Sequence, residues 1–461
     1  MLHYTVGIKT PSGRSLTLAA LCWGLFYVEG GYCMNKETTN FRWSLAILMF
    51  FISFISYMDR VNLSVATPTI MQEFNFDKMD MGLLQTAFFI GYSLMQIPGG
   101  IMAEYFGHRR VLTVAAIWWS VFTALTAFCN SFTAFATVRA MFGLGEGPMA
   151  PSMGRFMYRW FNKTEKGRAS SFMLAGVFFG PVVGPSITVA LMLAFGWRSV
   201  FVVFGALGLV LAAVWYYLAV DSPRNSKFAN AAEADYIEEG QDQAADKKEL
   251  APWQDFLGST QFWAIGIQYF ITDYIMYVFL AWLPLYLMEA QNFSMKSMGI
   301  AASFPWAALC VVTLFSGFMS DKLVSAGVSK HNARTLFGIG GLIVCCVALY
   351  LGAVATVPWM NVLWLTISLG SLGFTFNASW AACIDIGGKF VGSVSGWMNF
   401  WGNVGGIAAP TVTAWIATTY GWQEAILATA GSAIIGIIAW LAVKPDVPLK
   451  LKQDTNIAKV A

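Results

Sequence analysis

Residues 138–151 read VRAMFGLGEGPMAP and residues 57–64 read YMDRVNLS. Four charged side chains, Asp59, Arg60, Arg139 and Glu146, interrupt sequence that is mostly apolar, small or aromatic. Residues seven apart on an α-helix project about 20° from alignment and lie about 10.5 Å apart. Arg139 and Glu146 are therefore expected two turns apart on one face. Asp59 and Arg60 project about 100° apart around their own axis. Charges at membrane depth are costly, so they are expected to face a wet cavity, paired or functional. A guanidinium is a bidentate fork for a planar carboxylate, and a carboxylate beside it can take up and release a proton. The two cations and two anions cancel. An incoming carboxylate leaves the cavity at −1, and one proton on Asp59 or Glu146 restores neutrality. This charge balance points to coupled binding of an organic anion and a proton by linkage. The alternative is structural: an interfacial pair at Asp59–Arg60 and a packing pair at Arg139–Glu146.

Such charges need a scaffold that hides them. The 461-residue chain is 57% hydrophobic and only 11% charged, against about a quarter charged in soluble domains. That balance fits a polytopic membrane protein. Apolar runs near 43–68, 81–103, 111–129, 132–158, 169–193 and 197–220 precede a polar stretch, 221–259. Six more follow near 260–288, 297–319, 334–353, 359–385, 391–418 and 422–443. In lipid, backbone groups must pair internally, so these runs are expected as helices. The expected organisation is an N-terminal tail (1–40), a six-helix bundle (41–220), a cytoplasmic linker (221–259), a second six-helix bundle (260–443) and a cytoplasmic tail (444–461).

Lys and Arg collect at Arg109/Arg110, at Arg155 to Arg168, at Lys247/Lys248 and in the tail, whereas the opposite loops hold only Lys78, Arg198 and Lys296. That asymmetry places both termini in the cytoplasm. The run LTLAALCWGLFYV near the N-terminus is too short to span. It reads either as part of a true N-terminal tail or as a translated upstream extension, with Met34 as the start. The net charge of +3 gives no reason to expect nucleic-acid binding. Seven cysteines and three histidines show no disulfide framework, metal spacing or cofactor motif.

The chain repeats itself. Shifted by 225 residues, FGWRSVFVVFGALGLVLAAVWYYLAVDSP (195–223) lies over YGWQEAILATAGSAIIGIIAWLAVKPDVP (420–448). The same shift lays ASSFMLAGVFFGPVVGP (169–185) over VSGWMNFWGNVGGIAAP (394–410), with Gly180 on Gly405 and Pro185 on Pro410. Two same-direction halves imply a duplicated architecture with a site between them near the midplane, for which a monomer suffices.

The stretch GIMAEYFGHRR (Gly100, Glu104, Gly107, Arg109, Arg110), with GFMSDKL (Gly317, Asp321, Lys322) in the second half, resembles the cytoplasmic loop signature of the major facilitator superfamily. Glu104 stands where the usual pattern has Asp, and Tyr105 where it has a basic residue, which bears on the latch between the halves. Within that superfamily YMDRVNLSVATPTI, GYSLMQIPGG, RAMFGLGEGPMAP, WFNKTEKGRA and the region of Asn399 resemble the anion:cation symporter family. The resemblance implies twelve helices in two pseudo-symmetric six-helix bundles. It implies anion binding by Arg60 and Arg139 and proton handling by Asp59 and Glu146. It also implies substrate contacts from Tyr57, Tyr92, Ser379, Trp380 and Asn399, with ordinary packing the alternative for the aromatic residues. Asn377 and Asn403 are further polar candidates, expected rather as helix–helix hydrogen bonds.

Asp273, in QYFITDYIMY, belongs to no motif of the family; it reads either as functional by its depth or as a protonated packing residue. The fifth run is rich in Gly176, Gly180, Pro181, Gly184 and Pro185, a flexing and packing surface. Where sugar-acid members often carry an amide, this run reads Val177, Phe178, Phe179, which opens the way to an aromatic or less hydroxylated acid. With no phosphate-binding loop or catalytic constellation, the expected function is proton-coupled uptake of an organic anion, most simply a sugar acid, across a bacterial inner membrane. An exchanger, a dicarboxylate carrier and a non-transporting ligand sensor are the competing readings.

Overall fold

The computed structural model describes residues 38–162, 164–239 and 252–449, without the side chains of residues 321 and 389. The short apolar run near the N-terminus, the Lys247/Lys248 cluster and the tail beyond 449 lie outside the described residues.

The first half is built from α1 (Phe41–Phe74), α2 (Lys78–Phe106), α3 (His108–Thr126), α4 (Phe132–Glu146), α5 (Met149–Trp160), α6 (Lys166–Phe195) and α7 (Trp197–Leu218). The connecting stretch holds α8 (Ala231–Glu239) and α9 (Trp253–Leu257). The second half is α10 (Thr260–Glu289), α11 (Met295–Ala301), α12 (Ser303–Ser325), α13 (Lys330–Val354), α14 (Pro358–Gly387), α15 (Val391–Thr419) and α16 (Trp422–Leu441). Each of the twelve apolar runs is helical. Among the described residues eight helical stretches are long and apolar enough to span a membrane on composition alone. The other four runs, at α2, α3, α4/α5 and α15, carry more polar side chains or glycine.

Two expected spans are interrupted. The run near 132–158 splits at Gly147–Pro148, because proline offers no N–H and its ring crowds the preceding turn. Glu146 is thereby the last residue of α4. The run near 297–319 breaks at Ala302. The polar connection is also more ordered than its composition suggests. Glu233 of α8 accepts the backbone N–H groups of Phe41 and Arg42 at 3.0 and 3.1 Å and a hydrogen bond from Thr39, and so caps α1. Arg42, itself buried, bridges Glu233 at 2.9 Å and grips Glu165 with two bonds of 2.9 Å.

The sequence repeat reappears as a packing repeat. In the first half α1 packs on α6, α2 on α4 and α3 on α7; in the second, α10 packs on α15, α12 on α14 and α13 on α16. Glycines permit the closest of these approaches. Gly180 brings α6 against the Phe54 carbonyl of α1, and its repeat mate Gly405 brings α15 against the Phe270 carbonyl of α10. At Gly143 a Cβ would collide with the carbonyl oxygen of Phe88.

The halves meet through α2 with α15, α6 with α11 and α12, and α1 with α10. One end is sealed. There Lys78 pairs with Glu289 at 3.0 Å, Ser186 donates to the Gly299 carbonyl, and Ser64 and Gln85 donate to that of Ala281. Towards the other end Gly154, Gly167, Gly392 and Gly396 face open space, with nothing within 4 Å of where a Cβ would sit.

Two outcomes follow from these contacts. Gly143→Leu overpacks the α2–α4 interface and costs about 1–3 kcal/mol, readable as a lower melting temperature in detergent. Burial acts to raise the Glu233 pKa, but the hydrogen bonds from Thr39, Arg42 and Phe41 outweigh it and hold the carboxyl below its ordinary value. Its stabilising contribution is thus present at neutral pH and lost as pH falls through that lowered value. Glu233→Gln should melt lower at neutral pH and show a flatter acid limb in a melting-temperature–pH profile.

Candidate functional site

The four charges flagged by the sequence come together between α1, α4 and α3. Asp59, Arg60, Arg139 and Glu146 are all buried, at 1, 4, 4 and 0% exposure. The packing pair Arg139–Glu146, the structural alternative, does not form. Glu146 pairs with Arg60 of α1: Arg60 Nε donates to Oε1 at 3.0 Å and Oε2 at 3.2 Å, and Ser56 Oγ also donates to Oε1. The helix break directly after Glu146 ends α4 at this point, and α1 passes close enough for Arg60 to reach it. Arg139 instead lies over the rings of Phe88 and Phe142, at 5.0 and 4.8 Å. Arg60 lies 4.5 Å from the Tyr57 ring, 4.6 Å from Tyr92 and 5.0 Å from the same Phe88. One phenyl ring thus serves both guanidiniums, through the attraction of a cation for an aromatic ring.

The unsatisfied atoms are as informative. Arg60 Nη1 and Nη2, Arg139 Nε and both Asp59 carboxyl oxygens are buried without a hydrogen-bond partner. Asp59 lies beside Thr123 of α3 and within electrostatic reach of Arg139 and Glu146, so the quartet is one interacting group. Buried polar atoms without partners are uncommon and call for a reason. Two free Nη groups on an arginine whose Nε is already fixed form a pre-oriented fork.

Across the cleft, Tyr277 of α10 packs edge-on to Phe89 of α2 at 4.4 Å and lies within electrostatic reach of Arg60. Gln96 Oε1 of α2 accepts from Asn399 and Asn403 of α15 at 3.1 and 3.2 Å, joining the halves. Ser379 is fully buried and donates to Gln268 Oε1 at 2.9 Å, which ties α14 to α10. Trp380 is 42% exposed and donates from Nε1 to the Tyr269 hydroxyl at 3.1 Å. Asn377 bonds the Thr313 carbonyl and the Ser316 hydroxyl of α12, a helix–helix contact as expected. Asp273 is buried on α10. Ser56, Phe88, Gln96, Tyr269 and Tyr277 were not singled out from the sequence. A signal existed for three of them: Phe88, Tyr92 and Gln96 recur every four residues, and Ser56 precedes Arg60 by four, the spacing of one helix face.

The loop signature lies away from this site. Gly107 has φ 85°, and a Cβ there would collide with the Asp221 carboxylate just beyond α7. Asp221 accepts the Arg109 backbone N–H at 3.0 Å, and the Arg109 side chain bonds the Tyr216 carbonyl. The carbonyl of Glu104 takes a bond from Arg155 at 3.4 Å, while its side chain is exposed. Gly100 approaches Pro151 and Gly317 approaches Asn377, and Arg110 and Lys322 are exposed. The side chain of Asp321 lies outside those described.

The sequence profile of the Major Facilitator Superfamily matches residues 49–410. The chain belongs to the major facilitator superfamily. It is a multi-pass membrane transporter and not an enzyme, and its relatives carry anions and sugar acids. It is 31% identical over 402 residues to an ascorbate transporter of Arabidopsis thaliana chloroplasts, covering 87% of this chain and 74% of the relative. It is 30% identical over 398 residues to a probable L-galactonate transporter of Escherichia coli, covering 86% and 87%. It is 30% identical over 448 residues to a probable galactarate/D-glucarate transporter of Bacillus subtilis, covering 91% and 96%. A solved bacterial homologue of the human lysosomal transporter Spinster, in an inward-facing and unoccupied conformation, matches in fold with TM-score 0.74 at 16% identity. That match covers 90% of this chain and 99% of the other.

Phe88→Leu removes the ring shared by Arg60 and Arg139 while keeping most of its volume. The loss of two cation–ring contacts, each worth about 0.5–2 kcal/mol, should lower the melting temperature in detergent. Thermal unfolding of variant and wild type measures it.

Proposed function

We propose that this chain is a secondary active transporter that takes up an organic anion together with protons, by alternating access, across a bacterial inner membrane, with both termini in the cytoplasm. The observation that carries the reading is Arg60, held at Nε by Glu146 while Nη1 and Nη2 have no partner. An ionised Glu146 occupies Arg60 and balances its charge. A proton on Glu146 removes that balance and leaves the guanidinium to an incoming carboxylate, which can bind both Nη groups in one plane. Loss of the proton restores the internal pair and expels the guest. Binding of anion and proton then favour each other reciprocally. Arg139 and Asp59 form the supporting half of the quartet: the cation adds attraction for the guest, and the acid can take the proton in turn.

A sugar acid is the favoured guest, because the relatives named for galactonate and galactarate/glucarate match over nearly the whole chain. In this reading Tyr57, Tyr92, Asn399 and Trp380 meet its hydroxyls, and Ser379 acts through Gln268. A less hydroxylated or aromatic acid is the second reading. It is favoured by Phe179, 44% exposed and packed 6.3 and 6.2 Å from Phe50 and Phe54 in a run without an amide.

In proteoliposomes with an imposed pH gradient, the wild type should concentrate one of a panel of radiolabelled sugar acids, dicarboxylates and aromatic acids. Glu146→Gln should lose gradient-driven accumulation while keeping counterflow exchange. Arg60→Lys, which loses the planar fork, should weaken uptake about tenfold or more. Continued accumulation by Glu146→Gln would sink the coupling scheme.

A further inference from the structure

Asp273 lies in the second half, in the middle of α10, and no role above uses it. It is 6% exposed, and among the described residues it has neither a hydrogen-bond partner nor an ion-pair partner. Its surroundings are aromatic: Tyr269 and Tyr277 on its own helix and Tyr57 from α1 all lie within its electrostatic reach. On its α15 side it rests on Gly402, where a Cβ would overlap both Oδ2 and the Tyr269 ring. Gly402 therefore gives the carboxyl its seat between α10 and α15.

The other groups around it are few. From α1 come Tyr57 and, farther off, Arg60, whose charge Glu146 already balances. From α14 comes Cys383, near Tyr269. α15 carries no titratable residue, and α16 carries Glu424 in its first turn. An ionised carboxylate with no opposite charge and no donor, at this depth, is strongly unfavourable. The Gly402 backbone closes off one side of Oδ2, and a proton is the smallest partner that neutralises the group there. The residual exposure gives water a path to it.

We infer that Asp273 is a further proton-carrying carboxyl, separate from the Asp59–Glu146 group and located in the opposite half, and that it takes up and releases its proton as the cleft changes its access to water. The inference rests on the proton-coupled reading above and adds a carrier to it. With the Asp59–Glu146 group serving one charge on the guest, Asp273 provides the proton that would neutralise a second. The substrate class so indicated is an acid with two negative charges, or a monoanion moved with net positive charge.

The test requires no knowledge of the substrate. The full-length protein in lipid nanodiscs is titrated with acid and followed by infrared difference spectroscopy. The wild type should show a protonated-carboxyl carbonyl band that Asp273→Asn lacks and Glu146→Gln retains. Proton uptake by Asp273→Asn in weakly buffered solution should fall by about one proton per protein. Gly402→Ala, which forces the carboxyl off its seat, should shift the band's pH midpoint, and it controls for any misfolding of Asp273→Asn. The inference is overturned if Asp273→Asn keeps every wild-type band, or if Gly402→Ala leaves the midpoint in place. It is overturned equally if replacing choline by sodium at constant ionic strength moves the midpoint, which would make the group a sodium ligand. Loss of the Asp273 band alongside undiminished accumulation by Glu146→Gln leaves this site standing and removes the coupling scheme. The reverse pair of results does the opposite.

Discussion

A guanidinium and a carboxylate buried together inside a membrane protein constrain everything around them. Arg60 and Glu146 are each fully or almost fully removed from solvent, and separating them would leave an unpaired charge where water cannot compensate. α1 and α4 must therefore stay in register to within a hydrogen bond. Phe88, between the two arginines, brings α2 into the same arrangement. In the coupling proposed above, one proton on Glu146 changes the balance of the pair. A network with every nitrogen bonded would hold the helices as well and leave no atom of Arg60 for an incoming anion.

Such register is possible because backbones approach closely. Gly91 and Gly143 let α2 and α4 touch, and Gly176 and Gly180 do the same for α6 and α1. In lipid there is little hydrophobic gain in pressing apolar helices together, so small residues and interhelical hydrogen bonds supply the cohesion. The second half solves the same problem with the same spacing, as Gly405 shows on α15. The two halves are not chemically alike, however. The first carries two cations and two anions in one interacting group, while the second offers amides, aromatic rings and, buried on α10, Asp273.

Much of this was legible in the sequence, for a physical reason. A membrane span must satisfy its own backbone, so twelve apolar runs become helical whatever their neighbours do. The duplication was visible because Gly180 and Gly405, or Trp215 and Trp440, occupy equivalent packing positions. The four buried charges stood out because charge is rare in such runs. Which cation pairs with which anion was not legible. Helical periodicity relates Arg139 to Glu146 along one helix, but the partner chosen, Arg60, comes from another, and only tertiary packing brings it near. The breaks at Pro148 and Ala302 were hidden for a similar reason, since apolar composition continues across them. The ordering of α8 depends on Glu233 meeting α1 nearly two hundred residues away in sequence, which no local pattern of charges reveals.

Gly154, Gly167, Gly392 and Gly396, which face open space at one end of the molecule, carry a consequence for how harm from mutation is distributed in this chain. A methyl group at any of them meets no atom within 4 Å, so it costs the folded chain little. Under the alternating access proposed above, these helix ends would close on one another and the same group would become a wedge. Damage at these positions would then be invisible to a survey of abundance and visible only to one of flux.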